Sequence, residues 1–159
     1  MDARIVNALI AAIVNTLRTL LNVSPTIGKP GLLKEIKPKF DMITVIGFSG
    51  NVDGNLIYSF SPSTALKVVS KMMGLPYDNL DELAMSAIGE LGNMIAGALA
   101  INLEKAGCRI VISPPTVVTG NNLKLAVEGL AINLPASIFD GDDAEVILSA
   151  KGSMRCSQQ

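Results

Sequence analysis

Apolar residues recur every three or four positions at the start of the chain, which is the spacing of a helix with one buried face. The pattern runs from Asp2 to Asn22 and is carried by Ile5, Leu9, Ile13, Leu17 and Leu20. Ser-Pro and Lys-Pro-Gly sequences interrupt it between Val23 and Gly31, and such residues are typical of loops. The chain is therefore predicted to begin with an amphipathic helix that ends in a loop.

A β-hairpin is predicted next, from two segments rich in Ile, Val, Thr, Phe and Tyr at residues 42–49 and 56–60. Between them lies Asp53-Gly54, a pair that readily takes the positive φ angles of a tight strand reversal. We therefore expect this pair to form the turn.

Two helices are predicted after the hairpin, over residues 62–73 and about 80–106. Four extended segments follow at 109–112, 116–119, 123–134 and 144–151. The strands are too closely spaced for parallel crossovers, so the pattern predicts an α/β layered (α+β) domain with a largely antiparallel sheet. The predicted helix boundaries are Ser61-Pro62 and Gly74 for the first, and Asp78 or Asn79 and Gly107 for the second.

The chain of 159 residues suits one domain, which we place at 1–152, with a polar tail at 153–159. No uncharged run reaches the roughly 18 residues of a membrane span, and the first residues lack a secretory signal pattern. A cytoplasmic protein is expected. Cys108 lies in a predicted strand and Cys156 in the tail, which favours two free thiols in a reducing compartment over a structural disulfide.

Composition excludes several classes of function. The chain has no histidine, so Ser-His-Asp catalysis, imidazole metal ligands and a histidine pH switch are ruled out. Two cysteines cannot close a four-ligand zinc site. A net charge of −1 with mixed signs argues against nucleic-acid binding. At 49% apolar residues and without a membrane span, some surface is expected to be buried against a partner or a second copy.

Two further candidate sites have little support. The acidic segment 140–145 lacks the ligand spacing of an EF-hand loop, so a solvated turn is favoured over a calcium site. The glycines near the hairpin match neither a phosphate-binding loop nor a dinucleotide fingerprint, so a nucleotide site is not predicted.

The long helix predicted at about 80–106 carries one narrow stripe of polar and small residues. At about 100° per residue, Ser86, Glu90, Asn93 and Gly97 share an arc of roughly 60°, opposite an apolar face. Each glycine inside a helix costs about 0.8 to 1 kcal/mol of stability relative to alanine. Because this helix carries Gly89, Gly92 and Gly97, another part of the chain or a partner is expected to pack close to its backbone. Spacing alone leaves two interpretations open: close packing of a neighbouring helix with the polar residues merely solvated, or a functional contact.

This helix resembles the signature of the CheC/CheX/FliY family of bacterial chemotaxis phosphatases. The family pattern is Asp or Ser, Glu four residues on, Asn three residues further, and a proline some twenty residues downstream. Ser86, Glu90 and Asn93 match it, and Pro114-Pro115 supplies the proline. The resemblance covers nearly the whole chain, including residues 1–10, 55–60, 64–70 and 114–118.

Within the family, the resemblance is closest to CheX. Shifting the first helix by 78 residues places Asn15 on Asn93 and several apolar residues on apolar ones, which is a weak internal repeat. CheC-like members carry two Glu-x-x-Asn helices, whereas here Ala12 stands where the first glutamate would be. The resemblance therefore implies one working site per chain, and a homodimer formed through the sheets.

The resemblance also implies the chemistry. The family removes the phosphoryl group from the aspartate of phosphorylated CheY, beside a Mg²⁺ ion that this response regulator itself binds, so no cofactor is expected on this chain. Asn93 is expected to position the attacking water and Glu90 to pair with a lysine of the regulator. Ser86, Gly89 and Gly97 are expected to contact that partner.

Two alternatives remain. The same helix could dock on a response regulator or a flagellar-switch component as a non-catalytic adaptor. The Glu90 and Asn93 pair favours the enzyme, because docking alone does not require an amide one turn from a carboxylate. A small-molecule hydrolase has less support, since the chain lacks an obvious base tuned near neutral pH.

Overall fold

The fold is an antiparallel sheet with helices packed on one face, as seen in a computed structural model that describes residues 2–141, 143–151 and 156. Within those residues, the helices are α1 Ala3–Leu21, α2 Pro62–Met73 and α3 Glu82–Lys105. The strands are β1 Thr26–Ile27, β2 Gly31–Leu33, β3 Met42–Gly50, β4 Gly54–Phe60, β5 Ile110–Ile112, β6 Thr116–Thr119, β7 Leu130–Ser137 and β8 Ala144–Ala150. The predicted α+β layered architecture with an antiparallel sheet is confirmed. Most of the tail at 153–159 lies outside the described residues.

The sheet follows the order β1-β7-β8-β4-β3-β5, with β2 also paired to β7 and β6 also paired to β3. β4 and β8 therefore lie at its centre, and short strands form both edges. Seven residue pairs join β3 to β4 in register, among them Thr44 opposite Tyr58. The β3–β4 pair lies beneath α3 at Gly92, which contacts both Tyr58 and Thr44.

The β3–β4 hairpin forms as predicted, but its turn differs from expectation. The positive φ falls on Gly50, at 142°, and not on Asp53-Gly54. Asp53 instead accepts a hydrogen bond from the Gly50 N–H through Oδ1, at 3.1 Å. Gly54 serves close packing, because a side chain there would collide with the Ser149 carbonyl of β8. Asp53 therefore caps the turn with its carboxylate and Gly54 leaves room for the backbone of β8, while neither residue supplies a positive φ angle.

The helix ends follow local capping chemistry. Asp2 caps α1 by accepting a hydrogen bond from the Arg4 N–H at 2.9 Å, and the Arg4 guanidinium beside it holds the pKa of that carboxyl below its ordinary value. The predicted α2 boundaries are confirmed, with Ser61 as its N-cap and Gly74 at its end with φ 72°. The chain therefore encodes these boundaries locally.

The predicted start of α3 is too early, because the helix begins at Glu82, and its cap is a different aspartate. Asp81, rather than Asp78 or Asn79, accepts the hydrogen bond of the Ala84 N–H at 2.9 Å. Several Asx residues in succession each offer a cap, and spacing alone cannot choose among them. Only the residue directly before the first helical turn has its side chain in reach of the free N–H groups.

The predicted strand at 123–134 is also wrong in its first half. β7 begins at Leu130, and before it Leu125 forms only an isolated bridge with Ile36. Residues 123–129 cross the second face of the sheet, and Gly129, with φ 96°, turns the chain into β7 against the end of β8. A small apolar cluster results on that face, made of Ile36, Ile57, Ala131 and Ile147 with Leu33, Val45, Leu125 and Val127. Every residue of β8 is consequently buried.

The main core lies between the sheet and the helices. α1 and α3 run antiparallel, since the Asn102 side chain donates to the Ala8 carbonyl at 3.1 Å and the Arg4 side chain to the Ala106 carbonyl at 3.2 Å. Both helices place their apolar stripes in one cluster with the inward side chains of the strands. α3 is thereby held between α1 and the sheet.

Two helices, α1 and α3, are long and apolar enough to cross a membrane by length and composition alone, with a mean hydropathy of 1.4 each. In the fold, 44% of the most apolar 18-residue stretch of α1 and 50% of that of α3 are buried. Core helices of globular proteins pass the same test, and packing in the core accounts for the apolar character of both.

The expectation of two free thiols is wrong, because Cys108 and Cys156 form a disulfide. Cys108 follows α3 and is 2% exposed, and the Cα atoms of the two cysteines lie 5.9 Å apart, within the ordinary range for such a bond. The bond closes a loop across a sequence separation of 48. The sequence does not predict this contact, because the polar composition of the tail does not indicate which part of the domain Cys156 lies against.

Thr44 carries a buried hydroxyl without a hydrogen-bond partner among the described residues. An unsatisfied buried polar group costs about 1 to 3 kcal/mol. Thr44→Val keeps the branched shape and removes the hydroxyl, so we expect the free energy of unfolding to rise by about 1 kcal/mol. Urea denaturation of both proteins measures the change, and a fall in stability would contradict it.

Candidate active site on helix α3

The polar stripe of α3 lies on the outer surface, as the helical spacing predicts. Ser86 and Glu90 are exposed, and Asn93 and Gly97 are half-buried. The opposite face of the helix, formed by Ala84, Ile88, Leu91, Ile95 and Leu99, is buried in the core. Glu90 and Asn93 are three residues apart and so are neighbours on the helix surface.

The functional groups of Glu90 and Asn93 are available for an external contact. In the described part of the chain, neither the Glu90 carboxylate nor the Asn93 amide forms a hydrogen bond or an ion pair. Most side-chain amides and carboxylates at folded surfaces bond to water in this situation, and a partner can replace that water at low cost. A donor-acceptor amide and an anionic group are thus presented side by side.

Gly89 lies beside this pair but its missing side chain faces the chain's own loop. A Cβ at Gly89 would lie 3.3 Å from Val117 Cγ2 and 3.4 Å from Pro115 Cγ. The double proline identified from sequence therefore packs against α3 one residue before Glu90. The close neighbours of Gly89 belong to this chain, whereas a Cβ at Gly97 would have nothing within 4 Å. Among the three glycines of α3, Gly97 is therefore the one with open space beside it.

Apolar side chains extend the surface along the same helix. Leu83, Met94 and Ile101 of α3 are 56%, 38% and 58% exposed. Large apolar groups at such exposure, around a polar pair, are typical of a surface that contacts a partner. Sequence reasoning missed them, although their spacing of about eleven and seven residues would have placed them near Glu90 on a helical wheel.

An open groove of about 1040 Å³ lies at the start of α3, next to Ser86. Asp41, Asp81 and Glu82 give it acidic character, and Met42 and Met85 are among its apolar lining residues. Ser86 therefore stands where the exposed face of α3 meets this groove.

The corresponding face of α1 is not a second copy of the site. Ala12, at the position related to Glu90 by the internal repeat, is 0% exposed, while Asn15 is exposed. A glutamate at Ala12 would place its carboxylate in the core rather than beside Asn15. Among the described residues, the paired carboxylate and amide are therefore found on α3 and not at the related positions of α1.

The titratable groups of the described residues form no metal site, since no group of three or more Asp, Glu or Cys side chains is placed to hold an ion. The acidic turn behaves as a structural element: the Asp143 carboxylate accepts hydrogen bonds from the N–H groups of Ile138, Phe139 and Asp140 at 2.7 to 3.2 Å. Asp142 of that segment lies outside the described residues.

Comparison with known proteins first defines the class. A CheC-like superfamily protein from Shewanella sp. PV-4 has the same fold, with a TM-score of 0.84 and 28% identity over 96% of this chain and 100% of that one. A chain from the complex of CheX with CheY, BeF3 and Mg²⁺ of Borrelia burgdorferi matches with a TM-score of 0.78 and 32% identity, over 92% of this chain and 97% of that one. The chain is therefore a CheC-like protein of the chemotaxis class.

The family follows from sequence. The profile described as chemotaxis phosphatase CheX matches residues 42–135, which include β3, β4 and all of α3. The CheY-P phosphatase CheX of Thermotoga maritima is 53% identical over 152 residues, covering 95% of this chain and 98% of that protein. The chain belongs to the CheX family of chemotaxis phosphatases.

Proposed function

We propose that this protein is a phosphatase that hydrolyses the aspartyl phosphate of a phosphorylated CheY-like response regulator. The observation that carries the proposal is the pair of unpartnered side chains, Glu90 and Asn93, on the exposed face of α3 within the described part of a chain of the CheX family. The Thermotoga maritima relative is named a CheY-P phosphatase, which supports the same reaction here.

In the proposed reaction, a water oxygen attacks the phosphorus, the bond from phosphorus to the aspartate oxygen breaks, and inorganic phosphate leaves. The aspartate carboxylate is regenerated and the protons of the water pass to the phosphate. Such reactions depend mainly on positioning and charge stabilisation. Asn93 supplies the positioning, because its amide can both accept from and donate to a water without titrating.

Glu90 supplies the register between the two proteins. Its carboxylate is exposed and makes no ion pair within the described residues, so it can pair with a lysine beside the regulator's phosphoryl group. We propose that Mg²⁺ comes from the regulator, and the Borrelia burgdorferi complex, which contains CheY and Mg²⁺, supports this assignment. The ion supplies charge neutralisation at the phosphoryl oxygens.

Substitution of Glu90 tests this docking half of the site. Glu90→Ala removes the proposed ion pair with the regulator lysine, so KM should rise and kcat should fall together in steady-state dephosphorylation assays. Glu90→Gln keeps the shape of the side chain and removes only its charge. Wild-type kinetics in the Glu90→Gln protein would show that shape rather than charge sets the register.

The contact surface proposed for the regulator extends from Ser86 to Gly97 along α3. Ser86 borders the groove and Gly97 has open space beside it, so both can contact the partner directly. Gly89 contributes through Pro115, which packs on it and forms part of the same surface. The exposed Leu83 and Ile101 lie along the same helix to either side of the polar pair.

We further propose a homodimer formed through the edge strands. Leu32 of β2 and Val111 of β5 are 72% and 69% exposed at opposite edges of the sheet, and short unpaired edges can pair with a second copy. Sedimentation velocity of the protein, with Leu32→Lys and Val111→Lys variants, identifies the edge that is used. A cytoplasmic location is proposed with the substrate, because response regulators are phosphorylated inside the cell. The Cys108–Cys156 disulfide is then a bond that the reducing cytoplasm can open.

The test of the function is the lifetime of phosphorylated regulators from the same cell, measured with and without this protein. We expect at least one regulator to lose its phosphoryl group about 10-fold faster or more in the presence of catalytic amounts of the protein. Unchanged lifetimes for every regulator, together with measurable binding to one of them, would instead support the non-catalytic adaptor.

A further inference from the structure

Tyr58 makes a specific contact with α3 next to the candidate active site. It lies in the middle of β4, is 1% exposed, and its hydroxyl donates a hydrogen bond to the Gly92 carbonyl at 3.0 Å. The carbonyl carbon of Gly92 is bonded directly to the backbone nitrogen of Asn93. The phenol therefore holds the peptide group from which Asn93 extends.

The helix can approach Tyr58 only because residue 92 is glycine. A Cβ at Gly92 would lie 3.0 Å from Tyr58 Cε2 and 3.1 Å from Thr44 Cγ2, which is closer than side chains normally pack. Thr44 and Tyr58 are directly opposite each other on β3 and β4. α3 thus rests on a cross-strand pair at the centre of the sheet, at the position adjacent to Asn93.

The hydrogen bond from Tyr58 does not change with ordinary changes of pH. Burial raises the pKa of the Tyr58 phenol far above its ordinary value, because the interior disfavours the charged form. The phenol stays protonated and remains a donor. Its strand is paired on both sides, to Thr44 of β3 and Val146 of β8, so the donor is held by the most internal part of the sheet.

We propose that Tyr58 is a positioning residue for catalysis. It fixes the distance of α3 from the sheet and the rotation of the helix, so that Asn93 holds the attacking water in line with the bond that breaks at phosphorus. This inference rests on the proposed function. Phosphoryl transfer is sensitive to small displacements, and a misplacement of about 1 Å can cost about 100-fold in rate. A bond to the carbonyl directly before Asn93 limits such displacements, whereas apolar packing around it permits small shifts.

The test is Tyr58→Phe, which removes the hydroxyl and keeps the ring. We expect kcat for dephosphorylation of the regulator to fall about five-fold to ten-fold while KM is unchanged, because the docking surface on α3 is intact. Tyr77→Phe is the matched control. Tyr77, the other tyrosine of the chain, is half-buried in the connection between α2 and α3, and this variant should keep the wild-type kcat and KM.

A second variant tests the same contact from the helix side and keeps the proposal testable if Tyr58→Phe does not fold. Gly92→Ala introduces a Cβ that must displace Tyr58 and Thr44 by a few tenths of an ångström. It should lower kcat without raising KM, although alanine is the better helix former. A purely structural role would predict unchanged kcat in every variant that stays folded at the assay temperature.

The outcomes separate this proposal from the proposed function. Wild-type kcat in a folded Tyr58→Phe protein, or a raised KM with unchanged kcat, overturns the positioning role. If that result appears while Asn93→Ala is inactive, only the role of Tyr58 fails. If Asn93→Ala retains full activity, the proposed chemistry fails, whatever the Tyr58 variant does.

Discussion

Asn93→Ala should return a phosphorylated regulator to its unassisted lifetime, a loss of about 100-fold or more in kcat, with little change in affinity. The physical reason is that Asn93 contributes geometry: its half-buried amide has no partner among the described residues and can hold a water against the phosphorus. The alanine variant keeps the helix, since alanine is a stronger helix former than asparagine. Loss of phosphate from the regulator is followed by stopped-flow fluorescence.

A matched control is Asn15→Ala on α1. Asn15 is exposed and occupies the related position of the internal repeat, but its neighbour Ala12 is buried and carries no carboxylate. This variant should therefore dephosphorylate at the wild-type rate. Affinity is measured separately, by titrating each variant with regulator held in its active form by BeF3 and Mg²⁺. Wild-type kcat in Asn93→Ala would show that another group positions the water.

The second large effect concerns the disulfide between Cys108 and Cys156. In the chain-entropy description, closing a loop of this length stabilises the folded state by about 4 kcal/mol. Reduction, or Cys156→Ser, should therefore lower the free energy of unfolding by up to about 4 kcal/mol. Urea denaturation of the oxidised protein, the reduced protein and the Ser variant measures this directly.

The site should be indifferent to this bond at temperatures well below unfolding, because Cys108 follows the C-terminal end of α3 and Asn93 lies in its middle. The Ser variant should keep wild-type kcat and show no further change on reduction. Identical urea midpoints for the oxidised and reduced wild-type proteins would show that the tail is fixed by packing alone.

The sequence predicted most of what depends on near neighbours in the chain. The stripe of α1, the caps of α2 and the exposed face of α3 all follow from helical spacing and from capping chemistry within a few residues. The pair Glu90 and Asn93 could be identified because its spacing and its resemblance to a known signature both lie on one helix.

What could not be predicted depends on groups distant in sequence. The disulfide joins a buried cysteine to a polar tail, and residues 123–129 leave the strand pattern because the second face of the sheet must be covered. Tyr58 and Gly92 are 34 residues apart, and each alone suggests only a core tyrosine and a helix glycine. Their contact becomes visible only when β4 and α3 are placed against each other.

The burial of Ala12 also limits what a substitution on α1 can achieve. Ala12 is 0% exposed and belongs to the core, so a glutamate there would bury a charge and destabilise the fold rather than form a second pair with Asn15. Activity is therefore expected to respond to substitutions on the exposed face of α3, and not to a single substitution at position 12 of α1.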